Sequence, residues 1–145
     1  MTALRVAATG FAAGVLSVLM FHQGTVALLH LAGMLPNPAF PMRPVGPFAV
    51  PQLASLAFWG GIWGIAIAAI LAARPAWPPL LVGLLVGGLG CVLVGFTLVA
   101  ALRGQPLMAG YDLNRWWRSA LINGAYGWGV GLLLLVARRA VPALR

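Results

Sequence analysis

Four long apolar runs, separated by short polar or proline-rich breaks, make up the chain. The first, residues 6–35, is interrupted only by Thr9, Ser17, His22, Gln23, Thr25 and His30, and no formal charge falls between Arg5 and Arg43. A helix from Arg5 to Pro36 rises roughly 45 Å at about 1.5 Å per residue, well beyond a hydrocarbon core of about 30 Å. The pattern therefore predicts one of two things. Either a single tilted span crosses the bilayer, or a span breaks near Gly24 and continues as a re-entrant or interfacial helix whose freed backbone groups face protein or water.

The second run, 51–73, starts with Pro51 in a first helical turn and closes at Arg74-Pro75. The third, 78–102, opens on Pro78 and Pro79 and lies one short turn after the second, so these two helices are antiparallel neighbours. The fourth, 113–137, has Asp112 or Asn114 as its N-cap and ends at Arg138 and Arg139. Between the first two runs, residues 36–50 form a loop. Pro36, Pro38, Pro41, Pro44, Pro47 and Pro51 exclude a helix interior there and predict an extended, polyproline-like stretch over one end of the bundle. The expected fold class is all-α: one integral membrane domain, 1–145, of four transmembrane helices in a bundle.

Residues 55–74 align without gaps on 119–138 at an offset of 64, pairing Ser55 with Ser119, Gly60 with Gly124, Leu71 with Leu135 and Ala73-Arg74 with Ala137-Arg138. Such a match suggests two tandem helical hairpins as a parallel repeat.

Composition sharpens the membrane reading. Of 145 residues 62% are hydrophobic and 7% charged, which leaves lipid as the only adequate solvent. All nine basic residues are arginine, and Asp112 is the one acid. The net charge of +8 would suggest nucleic acid in a soluble chain. Here the arginines stand singly or in pairs at the ends of apolar runs, as headgroup anchors do, and nucleic-acid binding is set aside. Four spans place both termini on one side with Arg5, Arg74, Arg138, Arg139 and Arg145, against Arg43, Arg103, Arg115 and Arg118 on the other. That balance leans toward cytoplasmic termini. The lone Cys91 lies mid-helix and reads as a small packing residue.

Lipid supplies no hydrophobic drive for helix association, so small residues have to let backbones approach. The candidate packing positions are Gly60 and Gly64 in the second span, Gly83, Gly87 and Gly95 in the third, and Gly124, Gly127 and Gly131 in the fourth. Gly10, Gly14, Ser17 and Gly24 supply the first span's stripe.

Polar residues gather at the end with the two longer loops. On a regular helix His22, Gln23, Val26 and His30 fall within an arc of about 100°, which would line both histidines and the amide along one stripe toward the interior. With Asn123 at similar depth, His22, Gln23 and His30 are the candidate intramembrane polar site, and Asn123 or Ser55 the expected partners of His22. Arg43, Arg115, Trp116, Trp117 and Arg118 are candidate interface and headgroup contacts. One Cys, one Asp and no Glu do not make a metal set. Two histidines eight apart on one helix cannot close on one haem iron, and Ser17, Ser55 and Ser119 lack a spaced acid partner. No cofactor, metal or catalytic residue is therefore expected.

The function expected is that of a small non-enzymatic integral membrane protein, an accessory or scaffold subunit packing against itself or a larger membrane complex in the bilayer. The alternative is a small oligomeric transporter or channel with an intramembrane His22 site, and a third reading is a haem- or quinone-binding subunit. Phe21-His22-Gln23-Gly24-Thr25 and the stretch Leu56-Ala57-Phe58-Trp59-Gly60-Gly61-Ile62-Trp63-Gly64 resemble segments of small uncharacterised bacterial inner-membrane proteins, over about the first half of the chain. The resemblance implies membrane location and carries no activity. No span contains the glutamate that small multidrug transporters use in their first span.

Overall fold

The computed structural model describes residues 2–140. Its four helices are each long and apolar enough to cross a membrane: α1, Ala3–Leu31; α2, Gln52–Ala73; α3, Pro79–Leu102; and α4, Leu113–Ala140. The chain is thus an all-α, multi-pass bundle. Among the described residues sheet is limited to one antiparallel pair, β1 (Pro44–Val45) and β2 (Val50–Pro51), in the loop after α1.

α1 is continuous, which decides between the two sequence readings. At Val18–His22 it widens into a π-helical turn, then resumes regular winding at Gln23. Two further wide turns lie in α3, at Val86–Cys91 and Gly95–Val99. α1 stops earlier than the residue 35 expected from Pro36. Gly33, at φ +72°, donates its N–H to the His30 carbonyl, and Met34 donates to Leu29, the paired bonds of a Schellman stop. A left-handed glycine ends the helix before proline has to. At the start of α4 the Asp112 carboxylate accepts from the Asn114 amide at 2.8 Å, so Asp112 is the cap.

The helices associate as two glycine-faced antiparallel pairs. In the first, any side chain added at Gly14 would run into the Gly60 carbonyl and Gly61 backbone, and one at Gly64 into Gly10 and Gly14. In the second, Gly83 and Gly87 lie against Gly127, and Gly131 against the Pro79 carbonyl. Three predicted positions do otherwise. Gly24 and Gly95 face open space, and a side chain at Gly124 would meet only that of Leu84. The offset-64 alignment does not carry the contact face with it. Gly60 and Gly64 meet α1, whereas their counterparts are Gly124 and Trp128, and α4 uses Gly127 and Gly131 instead.

α4 joins the pairs. Ser17 on α1, fully buried, donates its hydroxyl to the Tyr126 carbonyl, and the Tyr126 hydroxyl donates to the Gly60 carbonyl on α2 at 2.6 Å. Phe21 and Ser17 also occupy the space beside Gly129, and Phe21 meets Trp128 edge to face. Around Tyr126 the core is Ala13, Val18, Ile67, Leu71, Val82, Val130 and Leu134. This solid core fills the middle of the bundle and the end closed by the short α2–α3 turn, leaving the two-loop end open.

Candidate functional site

The proline-rich segment is a folded cap rather than the extended stretch the prolines suggest. β1 and β2 pair Pro44 with Pro51 and Val45 with Val50, and the hairpin between them carries Gly46 and Ala49 in the left-handed region. The cap also finishes α2. No side chain caps that helix, and its first donors are taken by cap carbonyls: Gln52 N–H by Arg43 and Leu53 N–H by Pro41, both at 2.9 Å. Arg43 Nε donates to Gln52 Oε1, fastening the same junction through side chains.

On the α1 side the cap is held by Gln23. This residue is 1% exposed, and its Oε1 accepts the N–H of Phe40, a residue in the left-handed region at φ 57°, at 2.6 Å. Its Nε2 lies 3.1 Å from His22 Nδ1. One buried amide thus binds the cap with one end and the histidine ring with the other.

Between cap, α1 and α2 lies a half-open chamber of about 480 Å³ lined by His22, Gln23 and Val26 from α1, residues 35–43 of the cap, and Gln52 and Leu56 from α2. Its size falls within the range of about 300–1,000 Å³ usual for small-molecule sites. Most of the wall is Val, Leu, Pro, Ala, Phe and Met, with His22, Gln23, Asn37, Arg43 and Gln52 as the polar groups and no acid among them. A smaller crevice of about 100 Å³ lies deeper, between Val18, His22, Leu56, Trp59, Gly60, Asn123 and Tyr126. His22 and Leu56 border both spaces.

The predicted polar stripe is only partly assembled. His22 and Gln23 are together in the chamber wall, and Asn123 shares the lower crevice with His22. His30 is elsewhere: its Nδ1 bonds the Leu35 carbonyl at 2.9 Å, inside the turn that ends α1. Gln23–Leu31 is regularly wound, so the backbone spacing behind the stripe holds; His30 leaves it because the chain turns back after Leu31 and brings the Leu35 carbonyl onto its ring. His22 is partnered by its neighbour Gln23, not by Asn123 or Ser55, and Asn123 turns its amide onto Ser119 of its own helix.

The arginine and tryptophan cluster divides as well. Trp116 donates its indole N–H to the Met108 carbonyl at 2.9 Å and packs edge to face on Phe96, pinning the loop before α4. That loop passes through Met108, Ala109, Gly110 and Tyr111 with φ of 52°, 55°, 64° and 58°, a run of left-handed residues. Arg115 and Trp117 are exposed. Arg118 lies 5.6 Å from the Trp117 ring centroid, and its Nε is buried without a partner among the described residues. Arg43 is committed to Gln52 at the chamber rim.

Residue-by-residue reading missed Tyr126 and Phe40. Tyr126 carried a usable signal, since a mid-span hydroxyl has to find a partner in lipid. Phe40 contributes through its backbone amide, for which sequence has no mark. Among the described residues no cluster of three or more His, Cys, Asp or Glu side chains could hold a metal. Set against known protein families, curated proteins and solved structures, the chain matches none of them.

Proposed function

We propose that this protein is a small non-enzymatic membrane subunit whose working part is the chamber beneath the proline-rich cap, where it holds a ligand with a largely apolar body. The observation that carries this reading is the chamber itself: apolar walls, a few converging polar groups, and a cap tied to both flanking helices. The arginine count and the resemblance to bacterial inner-membrane proteins support an inner membrane with cytoplasmic termini, which puts the chamber on the periplasmic side. The broad apolar outer faces of the helices suit contact with lipid, a second copy or a larger membrane complex.

Extraction into lipid nanodiscs without detergent, followed by mass spectrometry of co-purifying small molecules, tests the reading. A species should accompany the wild-type chain and be lost from Val26→Trp, which fills the chamber. Equal recovery from both, or none from either, counts against a ligand site here.

A second reading, an oligomeric transporter or channel, is favoured by one observation: the chamber and the lower crevice meet at His22. Flux through liposomes carrying the protein, abolished in His22→Phe, is its signature.

A further inference from the structure

We infer that the chamber selects a ligand bearing an uncharged carbonyl oxygen, which it receives from the Nε2–H of His22. The inference rests on the reading of the chamber as a ligand site and specifies what that site recognises.

The hydrogen bonds around Gln23 fix where the proton of His22 sits. The Phe40 backbone N–H is a donor and nothing else, so the Gln23 atom facing it at 2.6 Å is the amide oxygen. The other end of the amide is then the NH₂ group, again only a donor, and it faces His22 Nδ1 at 3.1 Å. Nδ1 therefore accepts. An imidazole that accepts at Nδ1 is the neutral tautomer with its hydrogen on Nε2. A main-chain amide seventeen residues away thus decides which nitrogen of His22 is protonated.

His22 Nε2 has no hydrogen-bond partner among the described residues and is not sealed from the surface, while the ring borders both the chamber and the crevice. A donor left so in apolar surroundings calls for an acceptor, and a ligand with only donors would leave both sides unsatisfied. The donor is uncharged, and Arg43, the cation of the lining, is engaged with Gln52 at the rim, so a neutral carbonyl satisfies the donor without placing an anion among the apolar walls beside it. Two chemical sources share that group: a quinone ring and the ester carbonyl of a single-chain lipid.

The test uses full-length protein in nanodiscs, with empty nanodiscs correcting for partition into lipid. Four probes are compared: an alkyl-naphthoquinone, the matching alkyl-naphthalene, a long-chain methyl ester and the alkane of equal length. At least one carbonyl probe should bind ten-fold or more tightly than its hydrocarbon match, and which pair shows the preference identifies the source. In His22→Phe the preference should vanish while the hydrocarbon still binds. Should that variant fail to fold, ¹⁵N spectra of the histidine-labelled wild type serve instead: His22 should show the Nε2–H tautomer, and its Nε2 resonance should move with the carbonyl probe alone. Equal binding of carbonyl and hydrocarbon probes, or an Nδ1–H tautomer, overturns the inference and leaves the chamber reading standing. Binding of no probe at all overturns both.

Discussion

The Tyr126 hydroxyl on α4 donates to the Gly60 carbonyl on α2 across 2.6 Å, at the level where α2 also lies against Gly14 of α1. With Ser17 donating to the Tyr126 carbonyl, one residue links three helices. Tyr126→Phe keeps the ring and removes only the hydroxyl. It should cost about 0.6 kcal/mol and no more than about 1.7, the mean and the maximum measured for hydrogen bonds between membrane helices. Reversible unfolding in bicelles reads this directly, and a loss indistinguishable from zero would show that the contact contributes nothing net.

The glycine faces make a sharper prediction. Gly87→Leu and Gly127→Leu force bulk between backbones that touch, whereas Gly95→Leu enters open space. The first two should sharply reduce the yield of folded protein, and the third should leave it near wild type. Replacing Leu89, which is exposed on the outer face of α3, by Ala should also be mild. Similar losses across all four variants would remove the close-packing account.

Those same glycines show how far the sequence could be read. Span number, the ends of α2 and α3 and the two-loop end follow from apolar runs and from arginine and proline positions, because lipid imposes length and backbone satisfaction on any helix that crosses it, whereas the end of α1 is set by Gly33. Which glycines touch depends on how two helices cross, and three wide turns shift that phase without any residue type to announce them. Gly24 and Gly95, both in the expected stripes, lie on no contact face. The chamber was less legible still. Gln23 and His22 stood out as polar residues in an apolar run, yet their meaning comes from Phe40, whose contribution is a backbone N–H at a left-handed φ.

Gln23→Leu should release the cap. It leaves the Phe40 amide without its partner, and an orphaned buried donor costs about 1–3 kcal/mol. Hydrogen exchange at residues 39–43 should accelerate markedly, while the centres of α3 and α4 remain protected. Unchanged exchange in the cap would mean that the Arg43–Gln52 junction alone holds it.

Topology is open to labelling on a Cys91→Ser background. Asn37→Cys and Gln105→Cys, both at exposed loop positions, should react from one side of the membrane, and Ala76→Cys, in the α2–α3 turn, from the other. Reaction of positions 37 and 105 from opposite sides is incompatible with four spans.

The wide turn at Val18–His22 separates α1 into two working lengths. Below it, Gly10, Gly14 and Ser17 face the partner helices; above it, Gln23 faces the cap. A wide turn holds one residue more than an ordinary one, so removing one residue would let ordinary winding close up with little rotation, whereas removing two would keep both lengths helical and rotate one against the other by about 100°. The bundle could then assemble on its lower half while Gln23 pointed away from Phe40. In this chain the number of residues between Ser17 and Gln23 is itself a structural coordinate, one that sets assembly and cap attachment independently and that a substitution scan, which never changes spacing, would pass over.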